Sequence, residues 1–257
     1  MGRRSKPGAA SDPPVVVRPS WRRVVGIEID DVSAKERVVA TSGGVIAILL
    51  VLVMSEHVLG LEGGAVLIGS IGASAVLLFA VPHGQLSQPW PVFGGQVLSA
   101  IVGVTCARFI EPRELAAACA VGIAIGVMHT AKCVHPPGGA TALAAVTSGP
   151  AVTELGYGFV VRPVLVNTLT ILVVAVAYNA FFVWRRYPAA LVPPSDSVRR
   201  ATGPTHDQVR EAMRAIDSFV DVTEEDLLRL HDLLTKAEQQ TAGSAGRPSG
   251  PVAGREG

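Results

Sequence analysis

Charged residues are scarce in the middle of this 257-residue chain. Of its 43 lysines, arginines, aspartates and glutamates, nine fall among the 147 residues from 38 to 184. That is about 6 % of the stretch, whereas an average soluble domain carries about 25 %. The scarcity excludes an ordinary water-soluble globule and indicates an integral membrane protein with two polar end regions. Because acids and bases balance to a net charge of +1, we expect no nucleic-acid partner.

Cysteine is scarce too, and motifs of catalysis or metal binding are missing. The three cysteines, Cys106, Cys119 and Cys133, all lie in the apolar stretch without CxxC spacing. Their number and spacing favour neither a disulfide framework nor a zinc site, so we interpret them as small packing residues. The chain contains no GxSxG, Walker, HExxH or haem motif. We therefore predict a protein that is not an enzyme and has no cofactor and no metal.

The sequence predicts five parts along the chain. A basic region, disordered or interfacial, comes first, with no apolar run before Val38 to serve as a signal peptide. The membrane domain follows, then a Pro-rich linker, a short cytoplasmic helical hairpin with a capping box at Thr205, and a disordered tail. The predicted bounds are 1–37, 38–187, 188–204, 205–240 and 241–257.

Six apolar segments predict an all-α, polytopic transmembrane helix bundle. A full crossing takes about 20 residues, which the first, second and last segments reach or approach. The fifth is short and rich in Gly and Pro, so we expect a broken or re-entrant segment enclosed by protein. The prediction is four to six spans, with six preferred. The segments are 38–55, 63–82, 91–107, 115–130, 135–150 and 164–184.

Basic residues flank the first and last segments and predict the topology. Lys35 and Arg37 precede the first segment, and Arg185 and Arg186 follow the last. Both flanks favour the cytoplasmic side, which requires an even number of crossings. A fifth segment that returned to its own side would make the number five. The Ala-, Val- and Arg-rich composition favours a bacterial plasma membrane.

Small residues are dense in the second and fourth segments, for example Gly122, Ala124 and Gly126. Such residues let helix backbones approach closely in lipid, where no hydrophobic effect drives helix association. We therefore expect a tightly packed bundle. The sequence leaves open whether that bundle is a monomer or a homo-oligomer.

The segment KCVHPPGGATAL, residues 132–143, is the strongest candidate site. Its two consecutive prolines are unsuited to a helix interior but favoured at a first turn, so a helix is predicted to begin there. The two glycines would leave N–H groups of the helix N-terminus accessible to an anion. Alternatively, the motif only ends one helix and begins another. The predicted substrate-binding residues are Lys132 and His135 for positive charge or a proton, Pro136, Pro137, Gly138, Gly139, and Thr141 for a hydroxyl donor.

A second polar cluster echoes this motif. Residues 83–91 lead into Gly94 and Gly95, and in both motifs His and Pro precede the glycine pair. Transporter repeats generate paired half-sites of this kind, so Gly94 and Gly95 join the predicted substrate-binding residues. In a chain rich in Gly and Ala, chance similarity is the alternative.

These motifs resemble the HPP family of integral membrane proteins. Plant and cyanobacterial members are associated with nitrite transport, so the resemblance implies a polytopic membrane protein with a nitrite-like substrate. The Pro-His-Gly-Gln of residues 82–85 departs from the family pattern, where an acidic or small residue with Ser-Pro is usual. The resemblance covers about residues 35–235 and is carried by residues 69–79, Gln88 with Pro89, Gly94 with Gly95, 135–143, Tyr178 with Asn179, 186–188 and 221–227.

Two functions remain open at this point. The leading hypothesis is a transporter or channel for a small monovalent inorganic anion, nitrite-like, that binds at the N-terminal end of the HPPGG helix within the lipid bilayer. It predicts pH-dependent uptake that His135→Ala weakens. The alternative is a membrane sensor or scaffold that signals through the hairpin at 205–240. It predicts that deleting the hairpin abolishes function.

Overall fold

A computed structural model of the chain describes residues 32–59 and 68–191, together with the single positions 227, 231 and 235. Residue contacts divide the chain between Arg37 and Val38, and the core and the site described below lie in the part that starts at Val38. The predicted N-terminal region up to residue 31, the linker beyond residue 191, the tail and all but three positions of the predicted hairpin lie outside the described residues.

The described residues are almost entirely helical, which confirms the predicted all-α bundle. A π-helical turn at Val160–Leu165, which contains Pro163, leads into the last helix. Short 3-10 turns lie at Gln85–Ser87, Val183–Arg185 and Ala189–Leu191. The α-helices of the described part are α1 Ala34–Leu59, α2 Ile68–Ala80, α3 Pro89–Phe109, α4 Arg113–Thr130, α5 Pro136–Thr147, α6 Pro150–Leu155 and α7 Val166–Ala180.

Four helices in the described part are long and apolar enough to cross a bilayer: Ala34–His57, Pro89–Phe109, Arg113–Thr130 and Val160–Ala180. Helices α2 and α5 have 13 and 12 described residues, and at 1.5 Å per residue each rises only about 20 Å. The short α5 occupies the fifth apolar segment, which the sequence predicts to be broken or re-entrant, and it is a continuous helix from Pro136 to Thr147. An extended residue, His135, with φ −142° and ψ 102°, immediately precedes it.

Contacts at the helix ends show that α3, α4 and α5 alternate in direction along the chain. Trp90, at the start of α3, donates its Nε1–H to the carbonyl of Ala131, just past the end of α4 (3.1 Å). Arg113, at the start of α4, donates its Nε–H to the carbonyl of Val146 near the end of α5 (3.1 Å). Helix α5 therefore runs antiparallel to α4 and does not turn back. We call the end with Trp90 the His135 end and the opposite one the Arg113 end.

The first and last helices are also antiparallel. The hydroxyls of Tyr178 and Ser42 lie 2.6 Å apart near the end of α7. Near its start, Ser55 donates a hydrogen bond to Asn167 Oδ1 (2.6 Å). The chain thus enters the bundle through α1 and leaves it through α7 at the same end, as an even number of passes requires.

Small residues pack α4 against its neighbours, but they are not all the predicted ones. Ala116, Ala120 and Ala124 are spaced four apart and are almost completely buried. Gly122 and Gly126 are exposed, with open space around them, so the prediction was wrong for these two. The reason is the helical period: a residue two positions from the alanine stripe lies on the opposite face.

Candidate functional site

Five polar side chains form a connected cluster in the interior of the bundle. Each is at most 4 % exposed, and three helices or their ends contribute them. Buried polar groups in an apolar membrane domain are costly unless they are hydrogen-bonded, and each of these is bonded. We call this group the central cluster: Ser70 and Ser74 of α2, Gln96 of α3, His135 just before α5, and Thr141 of α5.

His135 is held in one tautomer. Its Nδ1 lies 2.9 Å from the carbonyl oxygen of Leu86. A carbonyl only accepts, so Nδ1 carries the hydrogen. Its Nε2 lies 2.8 Å from the hydroxyl of Ser74 and, in the neutral ring, accepts the hydroxyl hydrogen. Both ring nitrogens are therefore engaged.

Gln96 links α2 to α5. Its amide nitrogen donates to Ser70 Oγ (2.9 Å) and Ser74 Oγ (3.0 Å), and its amide oxygen accepts from the hydroxyl of Thr141. Ser70 in turn lies 2.7 Å from both the Thr141 hydroxyl and the carbonyl of Pro137. With this orientation of the amide, every hydrogen-bonding group of the Gln96 side chain has a partner.

The cluster forms because α3 and α5 touch backbone to backbone. A Cβ atom built on Gly138 would lie 2.5 Å from the carbonyl oxygen of Gly95, and one built on Gly95 would lie 2.5 Å from His135 Cβ. Farther along, a Cβ on Gly103 would lie 2.5 Å from the carbonyl oxygen of Ala142. Glycine is required at these positions for the two helices to approach this closely.

The start of α5 differs from the expected anion cradle. Pro136 and Pro137 occupy the first turn of the helix, as predicted, and neither has a backbone N–H. The N–H of Gly138 donates to the carbonyl of His135 (2.8 Å). The first backbone N–H that the sequence predicts to be accessible is thus already hydrogen-bonded within the protein. A direct role of these residues in binding substrate stays a prediction.

The other predicted residues lie in different surroundings. Lys132 is exposed, with a left-handed backbone (φ 53°) after the end of α4. Gly139 has open space around its Cα, whereas a Cβ on Gly94 would lie 3.0 Å from Cys133 Cβ. Gly94 and Gly95 therefore pack on the segment that leads into the HPPGG motif. The structure brings the two motifs together and leaves Lys132 outside the central cluster.

Three members of the central cluster, Ser70, Ser74 and Gln96, were not predicted as site residues. A signal was available in the sequence. Ser70 and Ser74 are four residues apart in an apolar segment, so they share one helix face. Gln96 is an amide within an apolar segment of 17 residues. Each of these two signals is weak alone. The three side chains come together only through the packing of α2, α3 and α5.

The segment after α7 covers the loop that holds His135. The Tyr187 hydroxyl donates to the carbonyl of Ser87 (2.7 Å), and the backbone N–H of Ala189 donates to Gln88 Oε1 (3.0 Å). Ser87 and Gln88 directly follow Leu86, whose carbonyl accepts from His135. We call residues 183–191 the C-terminal strap, since it fixes this loop in place.

Arg185, within the strap, is buried rather than directed at lipid headgroups. It is 1 % exposed, and its Nη2 donates to the carbonyl of Phe79 at the end of α2 (2.6 Å). Its Nε donates to Asn179 Oδ1 (3.2 Å). A cation at a helix C-terminus interacts favourably with the helix dipole, so Arg185 ties α2 to α7.

Some buried polar atoms in the described part have no hydrogen-bond partner. The Oγ of Ser99, on α3, is one of them, and it lies 2.8 Å from the position of a Cβ on Gly138. It is therefore adjacent to the central cluster without joining it. Within residues 32–59 and 68–191, no group of three or more His, Cys, Asp or Glu side chains is placed to hold a metal ion.

Comparison with known proteins agrees with this architecture. Residues 29–188 match the family model described as HPP, transmembrane region. Two transmembrane proteins of Dictyostelium discoideum are 39 % identical over 145 residues and 41 % identical over 131 residues. These alignments cover 54 % and 48 % of this chain and 46 % and 44 % of the relatives, so the chain spans less than half the length of these curated relatives. No solved structure matches. The chain belongs to the HPP family of transmembrane proteins.

Proposed function

We propose that the protein is a transporter or channel for a small monovalent anion, nitrite-like, and that the anion binds at the central cluster. The observation that carries the proposal is a buried, connected set of hydrogen-bonding side chains inside a membrane bundle. Ionisable residues inside membrane domains, here His135, are rare and often mark a substrate or ion path. Hydroxyl and amide groups can donate hydrogen bonds to the oxygen atoms of a small oxyanion. The resemblance to nitrite-transporting relatives supports the choice of substrate.

In this proposal the anion replaces hydrogen bonds that the cluster makes with itself. The two amide hydrogens of Gln96 and the hydroxyls of Ser70, Ser74 and Thr141 converge between α2 and α5. Since all four side chains are buried, access requires the helices to separate. Lys132, exposed at the His135 end, attracts anions to the entrance.

Uptake of anions into proteoliposomes tests the proposal. Nitrite is compared with nitrate, chloride and formate, and leakage through protein-free liposomes is subtracted. We expect saturable uptake that prefers nitrite and that Gln96→Leu reduces by at least about tenfold, the effect of losing about 1.4 kcal/mol of binding. Ser99→Ala, which removes a neighbouring hydroxyl without a partner, is the matched control and retains uptake. Absence of uptake by folded wild-type protein would overturn the proposal. Equal uptake by both variants would contradict the claim that the anion binds at the central cluster.

The cellular location is part of the proposal. We place the protein in the plasma membrane of a bacterium with both termini in the cytoplasm. Support comes from the basic residues that flank the first and last segments. On this assignment the His135 end faces the cytoplasm. A reporter that is active only in the cytoplasm, fused after Leu191, should be active; a signal only from a periplasmic reporter would reverse the orientation.

A further inference from the structure

The central cluster contains one ionisable side chain, His135, and no fixed charge. The described residues of α2 and all of α5 carry no titratable group. Helix α3 carries Cys106 and Arg108, both near the Arg113 end. The neighbouring loop contributes His83, and the connection to α5 contributes Lys132 and Cys133. The strap contributes Arg185, Arg186 and Tyr187. An anion that enters the cluster alone would therefore be an uncompensated charge in a buried, neutral site, which is strongly unfavourable.

The hydrogen bonds around His135 suit both protonation states of the ring. In the neutral state, Ser74 donates its hydroxyl hydrogen to Nε2, and Nδ1–H donates to Leu86. After protonation, Nε2–H donates to Ser74 Oγ, and the Ser74 hydroxyl hydrogen turns to the carbonyl of Ser70, 3.2 Å away on the same helix. The imidazolium keeps two acceptors. The change needs only the rotation of one hydroxyl group.

We propose that His135 takes up one proton at Nε2 together with each anion, so that transport is an electroneutral symport of one proton and one monovalent anion. This inference rests on the proposed function and specifies its energy source. The proton comes from a hydronium ion at the entry side or from the conjugate acid of the anion. The O–H bond of that donor breaks, leaving water or the anion, and the Nε2–H bond forms. At the exit side that bond breaks and the proton leaves with the anion. No group is oxidised or reduced.

The imidazolium compensates the charge of the anion. An opposite charge within a few ångströms favours the charged form of a titratable group, so the proton and the anion stabilise each other in the cluster. Neither is expected to bind well without the other. This mutual dependence is what couples the two fluxes.

Measurements on the wild-type protein in proteoliposomes test the stoichiometry. Nitrite and internal pH are recorded together, while potassium and valinomycin set the membrane potential. We expect one proton to enter with each nitrite ion, accumulation to rise about tenfold per unit of pH gradient, and the rate to be insensitive to potential. Protein-free liposomes correct for nitrous acid that crosses the lipid unaided.

Two substitutions test the role of His135. His135→Gln removes the titratable nitrogen, so uptake driven by the pH gradient should fall to the level of protein-free liposomes. His129→Gln, which changes an exposed histidine on α4, is the matched control and should behave as wild type. Ser74→Ala removes the acceptor for Nε2–H, so half-maximal uptake should move to lower pH.

The outcomes separate this inference from the proposed function. Uptake that follows the membrane potential without proton entry would overturn the symport and leave anion transport standing. Gradient-driven uptake that persists in His135→Gln would also overturn it. No uptake of any tested anion by folded wild-type protein would overturn both. If His135→Gln does not fold, the proton-to-anion ratio of the wild type decides alone.

Discussion

Gly95 and Gly138 meet backbone to backbone, so closely that a methyl group on Gly138 would lie 2.5 Å from the carbonyl oxygen of Gly95. The contact has a consequence for the site. Gln96 follows Gly95 directly, and Thr141 lies one helical turn after Gly138. The distance between the two glycines therefore sets the distance between the Gln96 amide and the Thr141 hydroxyl. A packing contact and a polar contact depend on each other here.

Gly138→Ala should destabilise the bundle. The added Cβ meets backbone and the Ser99 hydroxyl oxygen at 2.5 to 3.0 Å, so α3 and α5 must separate, at a cost of about 1–3 kcal/mol. Thermal unfolding of purified protein in detergent measures the change. Gly139→Ala is the matched control, because nothing lies within 4 Å of its Cβ position; alanine is also favoured in helices, so stability should stay the same or rise. Equal effects of the two substitutions would contradict the packing role.

Gln96→Leu should cost stability as well as uptake. Ser70 and Ser74 lose the donor that links them, and Thr141 loses its acceptor, each within a buried site. Each of the three keeps another partner, namely the Pro137 carbonyl, the His135 ring and the Ser70 hydroxyl, respectively. The expected cost is therefore that of the lost hydrogen bonds, about 0.5–1.5 kcal/mol each. Unfolding by denaturant compares this variant with Ser99→Ala, which we expect to lie within about 0.5 kcal/mol of wild type. A Gln96→Leu protein as stable as Ser99→Ala would show that the cluster contributes no net stability.

Arg113→Ala should loosen the end of α5. The guanidinium donates to the carbonyls of Val146 and Thr147, and a cation there also favours the helix C-terminus. The side chain is exposed, so we expect a loss of about 1 kcal/mol. Hydrogen exchange of the last turn of α5 should quicken. Arg108→Ala serves as the control, because Arg108 is exposed and its guanidinium carbon lies 5.7 Å from the centroid of the Tyr157 ring; exchange in α5 should not change.

Tyr187 should make folding stability sensitive to alkaline pH. Burial raises the pKa of the Tyr187 hydroxyl, so the folded protein keeps its proton at a pH where the unfolded chain has lost it. This contribution is fully present below the unfolded pKa of about 10 and declines as the pH rises above it. Tyr187→Phe removes the hydrogen bond to Ser87, so the free energy of unfolding at neutral pH should fall by about 1 kcal/mol. Above pH 10 the free energy of unfolding of this variant should decline less steeply than that of wild type. Identical pH profiles would contradict the assignment.

Much of the fold follows from the sequence. Apolar segments of 16 to 21 residues predict helices, because in a bilayer the backbone N–H and C=O groups must form hydrogen bonds within the segment. The two prolines of the HPPGG motif predict where α5 begins. The packing face of α4 was predicted only in part. Ala124 packs as expected, but the face that it shares with Ala116 and Ala120 does not include Gly122 and Gly126.

The site was predicted less completely. The motif identified His135 and Thr141, because unusual residues adjacent in sequence are easy to see. The partners of these residues come from other helices. Ser74 precedes its partner His135 by 61 positions along the chain, and Gln96 precedes its partner Thr141 by 45. The positions of Ser70, Ser74 and Gln96 within apolar segments are only a weak sign of which faces of α2 and α3 turn inward. Gly138 also has a different role from the expected one. The sequence predicts an accessible N–H for an anion, whereas in the structure Gly138 makes a close contact between α3 and α5.

The most direct test is nitrogen NMR of the protein in lipid, with ¹⁵N-labelled histidine and His135→Gln to assign the His135 signals. Without anion, the structure predicts a neutral His135 ring with the proton on Nδ1. On addition of nitrite, the Nε2 signal of His135 should shift to that of a protonated nitrogen, while exposed His129 stays unchanged. Transport-competent protein whose His135 signals do not respond to nitrite would contradict the claim that the anion binds at the central cluster.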